Sequence, residues 1–449
     1  MGKTFREYEP DQLLLMPPSL RDWLPEDHVA YFISDLVERL DLSEILNSYG
    51  EERGYPPYHP VMMTKLLLYG YAVGVRSSRK LQQGTRENVA FRVLSAGNEP
   101  DFRTIAAFRT RHLEALEGLF SQVLDVCAQA GLVKLGVVAI DGTKIKANAS
   151  KHKAMSYGRM KKERRRLRAE IRKYLRECQR VDAEEDALYG ADKLGDELPE
   201  ELANAARRLQ KIDEAMAALR DEAGAEAKAK GRRPKPPKDK AQRNFTDPDS
   251  RIMKAPDKSF VQAYNGQVAV DAESQVIVAK ALLQQANDKN QLVPMVHETV
   301  DNVGLTPETV VADSGYWVGE QVERIEYYDI EPVVAPRKIR HREWRESAVL
   351  EGPMPEGLNT REKMEWKLKT EDGRRKMKQR WSSVEPVCGQ IKHAMGFRQF
   401  SLRGHRKTNG EWTLVCTAHN ILKLFRASVK LAELLPCGPP ASPLPAICA

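Results

Sequence analysis

The stretch KHKAMSYGRMKKERRRLRAEIRKYLRECQR, residues 151–180, carries thirteen Lys or Arg against three Glu, a net +10 where the whole chain has only +8. A segment so one-sided repels itself and cannot enter a core, so the rest of the chain must fold around it and leave it open to something acidic. Its apolar residues Leu167, Ile171, Tyr174 and Leu175 fall on one helical stripe, and ELANAARRLQKIDEAMAALRDEA supplies a second, which predicts a helical hairpin. The tract AKAKGRRPKPPKDKAQR that follows reads as a flexible basic linker. On both sides of this insertion the period is that of strands. VVAIDGTKIKANAS precedes it; after Phe245 come FVQAYNGQVAVD, a short turn AESQ and VIVAKALLQQ, a predicted β-hairpin, then a helix over about Asp288 to Asn302, then TPETVVADSGYWVGEQVERI and IEPVVAP. The reading is one α/β module interrupted by a basic helical insertion.

Ahead of it, from about Leu24 to Ala130, the pattern is helical. PEDHVAYFISDLVERL spaces its apolar residues by three and four, HPVMMTKLLLYGYAVGV reads as a more buried helix after Pro60, and PDFRTIAAFRTRHLEALEGLFSQVL begins with Asp101 as N-cap. Arg103, Arg109, Arg111 and His112 near that start offer cations to phosphates, or simply form a solvated helix face. With 449 residues, 41% hydrophobic, the chain can bury a large core in two or three modules. Six cysteines without a C-x-x-C pair suggest neither a zinc module nor a disulfide framework, and so a reducing cytoplasm. MGKTFREYEPDQ has no apolar signal core, and the longest apolar stretch, near Met62–Val75, is interrupted by Lys65; no membrane association is expected. The pI near 9.0 leans toward a polyanionic partner. The last residues, LLPCGPPASPLPAICA, read as a disordered tail.

Three acids stand out. Asp141 ends an apolar run, where it is either a turn residue of Asp-Gly or a ligand; Ala139 excludes two other chemistries, since a haloacid-dehalogenase-type phosphatase needs Asp there and a nucleotidyl-transferring ligase needs Lys. Asp313 ends a second apolar run before Ser314-Gly315, which should open a helix, so it is a helix N-cap or a group at the carboxyl edge of a sheet, where ligands bind. Glu385 follows Ser382 at capping-box spacing, and Gly389 and Lys392 share its predicted helix face. Taken as a set, these acids offer only oxygen donors, the chemistry that suits Mg²⁺ or Mn²⁺, and two such ions can be shared by three carboxylates.

The order Asp, Asp, Glu in strand, strand and helix contexts, with VEPVCGQIKHAMGFRQFSLRG after it, resembles the DDE transposases of bacterial insertion sequences. YHPVMMTKLLLYGYAVGVRSSRKLQQ and PDFRTIAAFR are similar to that group's N-terminal domain; TDPDSRIMK, YNGQVAVD and ADSGYW are similar to its catalytic domain. The resemblance implies an RNase H-like mixed sheet flanked by helices, an all-α N-terminal domain (1–130), a catalytic domain in two pieces (131–150 and 245–425), the basic insertion and linker (151–244) and a tail (426–449). It implies a DNA transposase that binds terminal inverted repeats and target DNA, cuts and joins strands with two Mg²⁺ or Mn²⁺ ions, works as a homodimer in the synaptic complex, and resides in the cytoplasm on nucleoid DNA. Asp141, Asp313 and Glu385 match the metal ligands, and Lys392 the basic residue of Y-x2-R-x3-E-x6-K. Lys378 stands where that signature has Tyr and Trp381 where it has Arg, with Arg380 adjacent and able to serve the same phosphate. Arg103, Arg109, Arg164, Arg165, Arg168 and Lys392 are the candidate DNA contacts; Asn265 and Gln267 lie near the site as DNA contacts or structural groups. Asp271 and Asp288 are rival acids, of which Asp271 reads as a hairpin turn and Asp288 as a helix N-cap. Two other readings remain open: a catalytically inactive or domesticated DNA-binding protein, and a Mg²⁺-dependent nuclease without strand transfer.

Overall fold

Strand β1, Val137–Lys146, runs through Asp141 and Gly142 without a turn, because Thr143 and Ile145 continue its buried face and leave Lys146 in solvent. The computed structural model describes residues 19–50, 57–189, 200–229, 231–255, 259–338 and 348–435, without side chains at 177–179, 181–189 and 200–203. The expectations for MGKTFREYEPDQ and for most of the tail thus fall outside the described residues. The other strands are β2 (Ala154–Ser156), β3 (Gln242–Asn244), β4 (Arg251–Lys254), β5 (Phe260–Asp271), β6 (Ile277–Leu283), β7 (Thr309–Ala312) and β8 (Glu331–Val334).

Six of them form one mixed sheet. β5 is antiparallel to β1, β4 and β6, while β1, β7 and β8 run parallel, so that the order β6-β5-β1-β7-β8 results, with β4 beside the first half of β5. This is the sheet of an RNase H-like core. Its central strands are continuous apolar runs, Val138–Ile140, Val268–Val270 and Val310–Ala312, all fully buried, as strands covered on both faces must be. The predicted β5–β6 hairpin forms around Asp271, whose carboxylate accepts from the amides of Glu273 (3.0 Å) and Ser274 (3.1 Å) in the turn and from those of Lys134 (2.9 Å) and Leu135 (3.0 Å). Helices Leu292–Val303, Gly319–Tyr327 and Glu371–Gly389 pack against the strands.

The insertion is a pair of helices, Tyr157–Tyr189 and Glu200–Ala229, as expected. Met160 and Leu167 of the first meet Ile212, Met216 and Leu219 of the second, whereas Leu175 faces solvent, so the buried stripe excludes it. The hairpin's ends are tied together where β2 pairs with β3, so the predicted linker ends in a strand: its last residues, Gln242 and Arg243, are fixed opposite Ser156 and Met155.

The chain divides into two compact units: residues up to Ala130 together with those from Thr417, and Gly131–Cys416, the boundary falling inside the helix His405–Arg426. In the first unit the first two expected helices are Val29–Arg39 and Pro60–Ala72, while the third, expected as one, breaks at His112 into Phe102–Arg111, capped by Asp101, which accepts from the Arg103 amide at 2.8 Å, and Leu113–Gln129. Leu431–Leu434, within the expected tail, forms a short helical turn with Leu431 buried.

Gly266, in the middle of β5, has its missing side chain replaced by Trp412, a fully buried ring of the helix His405–Arg426 whose Nε1 donates to the Gln267 carbonyl at 3.3 Å. A Cβ at Gly266 would lie 2.9 Å from the indole, which cannot move far in a filled core. Gly266→Ala is expected to cost about 1–3 kcal/mol, the usual range for overpacking, read as a lower urea midpoint with an unchanged m-value.

Candidate active site

The sheet register brings the two aspartates together. β1 and β7 pair in parallel, Ile140 opposite Ala312, so the next residue of each chain, Asp141 and Asp313, leaves the last paired rung of neighbouring strands. Asp141 remains within β1, opposite Val268 of β5. Asp313 is neither strand nor helix cap: its carboxylate accepts from the Gly315 amide at 2.8 Å, a tight local turn, and the next helix begins only at Gly319, later than Ser314-Gly315 led one to expect.

The third acid comes from the helix Glu371–Gly389. It starts at Thr370, whose hydroxyl accepts from the Gly373 amide, so Ser382 and Glu385 are mid-helix and no capping box forms there; Ser382 Oγ donates to the Gln379 carbonyl instead. Pro386 lies inside this helix and has no N–H for the Ser382 carbonyl. Gln275 Nε2, from the β5–β6 turn, donates to that carbonyl at 3.1 Å. Lys376 pairs with Glu331 of β8, as does Lys367 at 2.8 Å; burial would raise Glu331, but the two ammonium groups hold it down at about 2. A wider π-turn, Gln390–Ala394, follows and carries Lys392.

At the centre stands Arg380. Its guanidinium lies 3.1 Å from Asp141, 3.3 Å from Glu385 and 4.0 Å from Asp313, with the side chain 6% exposed and Nε without a hydrogen-bond partner. Burial raises Asp141 to about 6; Arg380 opposes this, and Asp313 and Asp288 add to it. Lys392 is lowered by burial, with Asp141 pulling the other way and Lys144 adding to the depression. Burial also pushes the Cys388 thiol up to about 12, so it is no nucleophile.

Asp288 was legible only in part. The helix after it begins at Leu292 with Gln291 as its N-cap residue, so Asp288 does not cap it. Its Oδ1 instead accepts from Asn265 Nδ2 and Gln267 Nε2, both at 2.7 Å, and the Tyr316 hydroxyl bonds to Gln267 Oε1. The signal was two amide side chains, two apart, in the middle of a buried strand.

The expected phosphate-binding cations separate. Arg109 is buried and donates to the Tyr71 hydroxyl (3.3 Å) and the Arg76 carbonyl (3.2 Å), so it is a core residue and is set aside as a DNA contact. His112 is buried too, 3.0 Å from the Tyr49 hydroxyl, and Arg111 donates to the Ser48 carbonyl at 2.9 Å. Arg103 is exposed. In the insertion, Arg164 and Arg168 pair with Asp213 at 2.6 and 3.3 Å, while Arg165 lines an open cleft of about 760 Å³ with Arg159, Lys161, Lys162 and Lys240 around one acid, Asp239.

Two family models match the sequence: a transposase domain (DUF772) over residues 18–111 and a transposase DDE domain over residues 233–421. The chain belongs to the DDE transposases of insertion sequences. Neither the curated proteins nor the solved structures contain a match. The DDE-domain match spans Asp313 and Glu385 but begins after Asp141. DDE transposases generally use divalent metal ions. Among the described residues no three His, Cys, Asp or Glu stand close enough to hold one as the chain is folded here. The donor chemistry nevertheless fits: three carboxylates, oxygen donors only, already converge on one cationic group. No helix among the described residues is long and apolar enough to cross a membrane.

Asp141 titrates from 3.8 in the unfolded chain to about 6 in the folded one, so between those values the folded chain holds a proton that the unfolded chain has released. Its contribution to stability therefore falls as pH rises through that window and stays low above it, a cost of about 3 kcal/mol at about 1.4 kcal/mol per unit. Asp141→Asn is expected to raise the melting temperature at about pH 7.5 without divalent cations, and to give no gain near pH 4; thermal melts across pH check it.

Proposed function

We propose that this transposase cuts DNA at the ends of terminal inverted repeats and joins the freed 3′ ends to target DNA, with Asp141, Asp313 and Glu385 holding two Mg²⁺ (or Mn²⁺) ions. The observation that carries the reading is the convergence of all three acids on the Arg380 guanidinium, within 4.0 Å of each. Held there by Asp141, Asp313 and Glu385, divalent ions would supply Lewis acidity for the attacking water or 3′-hydroxyl and for the leaving oxygen of a phosphodiester. The protein's own residues do the rest. The paired ends of β1 and β7 fix Asp141 and Asp313, and the helix Glu371–Gly389 delivers Glu385 and Arg380 from one rigid element. Arg380, once released from the acids, and Lys392, beside Asp141, supply the cations that steady phosphates.

Double-stranded DNA is held largely by the insertion. Arg159, Lys162, Arg165 and Lys240 line its cleft and form no ion pair among the described residues, in contrast to Arg164 and Arg168. Contacts of this kind give salt-dependent affinity and little sequence choice. Exposed Arg103 belongs to the same class. A homodimer on nucleoid DNA in the cytoplasm follows from the need to join two ends at one target.

With a plasmid carrying candidate ends taken from the DNA flanking the gene, the parent protein should give cut and joined products in Mg²⁺. Asp141→Asn, Asp313→Asn and Glu385→Gln should each lower both products by roughly three orders of magnitude or more, as for groups that act as a unit, while end binding in a gel-shift assay persists. Cutting without joining would make the protein a nuclease, and binding without cutting a domesticated DNA-binding protein. Joint replacement of Lys162 and Arg165 by Ala should weaken binding to all sequences alike and lower the salt slope by about 2.

A further inference from the structure

We propose that Asp288 is a fourth acidic residue of the cation site, contributing its Oδ2 beside Asp313. This rests on the metal-site reading of Asp141, Asp313 and Glu385 and goes beyond it. Oδ1 of Asp288 is fixed by two amides, Asn265 and Gln267, which are 1% and 0% exposed. Oδ2 takes no hydrogen bond among the described residues. Two glycines give it room. A Cβ at Gly142 would lie 2.4 Å from Asp288 Oδ1, and one at Gly315 would lie 3.3 Å from Asp288 Oδ2 and 2.9 Å from Asp313 Oδ1. Neither glycine has a positive φ, so backbone conformation does not require glycine there. What requires it is the space that Asp288 occupies, directly after Asp141 and two residues after Asp313.

A second observation points to a ligand. Asn265 Oδ1 is buried without a hydrogen-bond partner and lies 3.1 Å from the Gly142 Cβ position, on the same side as Asp288. A buried acceptor left open, next to a carboxylate oxygen left open, is costly unless a cation or its hydration shell meets them. Charge agrees. Asp141, Asp288, Asp313 and Glu385 bring four negative charges, while Arg380 and Lys392 are the cations that face Asp141, and Arg380 alone reaches Asp313 and Glu385 among the described residues. Burying two amides in a strand to immobilise one more acid in such a place makes sense when the acid's other oxygen has a cation to bind.

The test is titration of the DNA-free full chain with Mn²⁺, read by electron paramagnetic resonance of the free ion and by calorimetry, for the parent, Asp288→Asn, Asp288→Ser and Asp141→Asn. Asn at position 288 keeps an oxygen for both amides. Asp288→Asn is expected to weaken Mn²⁺ binding at least tenfold or to remove one ion from the stoichiometry, with an unchanged or higher melting temperature in the absence of metal. Unchanged Mn²⁺ binding by Asp288→Asn, with Asp141→Asn impaired, would overturn the proposal and leave the three-acid reading intact. Unchanged binding by Asp141→Asn as well would overturn that reading, and this proposal with it. A lower melting temperature with unaltered Mn²⁺ affinity would assign Asp288 a structural role only. If Asp288→Asn does not fold, Asp288→Ser, whose hydroxyl can accept from one amide, decides by the same two readouts.

Discussion

One buried guanidinium lets three acids from separate elements meet in this fold. Asp141, Asp313 and Glu385 come from three separate elements, and each carboxylate repels the others; a pair of unit charges about 4 Å apart interacts by about 4 kcal/mol at an effective dielectric near 20. Arg380 reaches all three and offsets part of that repulsion. It does so from the helix that carries Glu385, so the residue that neutralises the site and one of the residues being neutralised move together. The balance is incomplete: Asp141 still sits near 6, which means that burial and the neighbouring acids outweigh the arginine. A site left short of positive charge is poised to take up cations, whereas one fully satisfied by its own side chains would not be.

The scaffold around Arg380 is built so that this helix cannot drift. Glu331, at the start of β8, ties down Lys376 in the helix's first turns and Lys367 in the short helix Thr360–Lys367 before it, holding both against the sheet. Further along, Pro386 interrupts the ladder one residue after Glu385, and the resulting carbonyl is satisfied by Gln275 from the β5–β6 turn. An interrupted helix bends or frays unless its orphan groups find partners; here the partner comes from the sheet, so the interruption anchors the helix at the residue that matters. Beyond it the chain widens into a π-turn and returns to pair with the end of β1, where the Lys146 amide donates to the Arg398 carbonyl at 3.2 Å and the Phe400 amide to the Lys146 carbonyl at 2.9 Å. The helix is thereby referred to β8 near its start and, through the chain that follows it, to β1, the strand that carries Asp141.

Much of this was legible in the sequence, and the parts that were not share a cause. The strand that leads into Asp141, the β5–β6 hairpin, the insertion hairpin and the Asp101 cap follow from period and from local side-chain chemistry, which act over a few residues. The resemblance supplied the three acids as a set. What local rules misassigned were residues whose partners are distant in sequence. Asp288 looked like a cap because helix starts favour Asp, yet its partners are Asn265 and Gln267 in β5. Ser382-x-x-Glu385 looked like a capping box, but the helix begins at Glu371, and Thr370 rather than Ser382 caps it. Arg109 looked like an exposed cation because two others stand near it, and its burial is set by Tyr71 and Arg76. In each case a short-range propensity lost to tertiary contact.

The insertion shows how the same chain can spend one excess of charge in two ways. Part of it holds the hairpin together, Arg164 and Arg168 on Asp213 and Arg208 on Glu163 at 2.9 Å, all between the two helices. Exposed pairs of this kind contribute little each, but they set the register in which Leu167, Ile212, Met216 and Leu219 can bury. Four others, Arg159, Lys162, Arg165 and Lys240, crowd around one cleft at the base of the hairpin, where β2 and β3 close it. The Asn244 side chain donates to the Ser150 carbonyl at 2.8 Å, joining the chain on either side of the hairpin, and Asp247 accepts from the Tyr264 hydroxyl of β5 at 2.9 Å, which fastens the chain after it to the six-stranded sheet. A polyanion seated in that cleft would therefore be held by the same framework that holds Asp141, rather than by an arm free to swing, and the charge excess that first marks this sequence becomes a positional constraint on where a bound backbone lies relative to the acids.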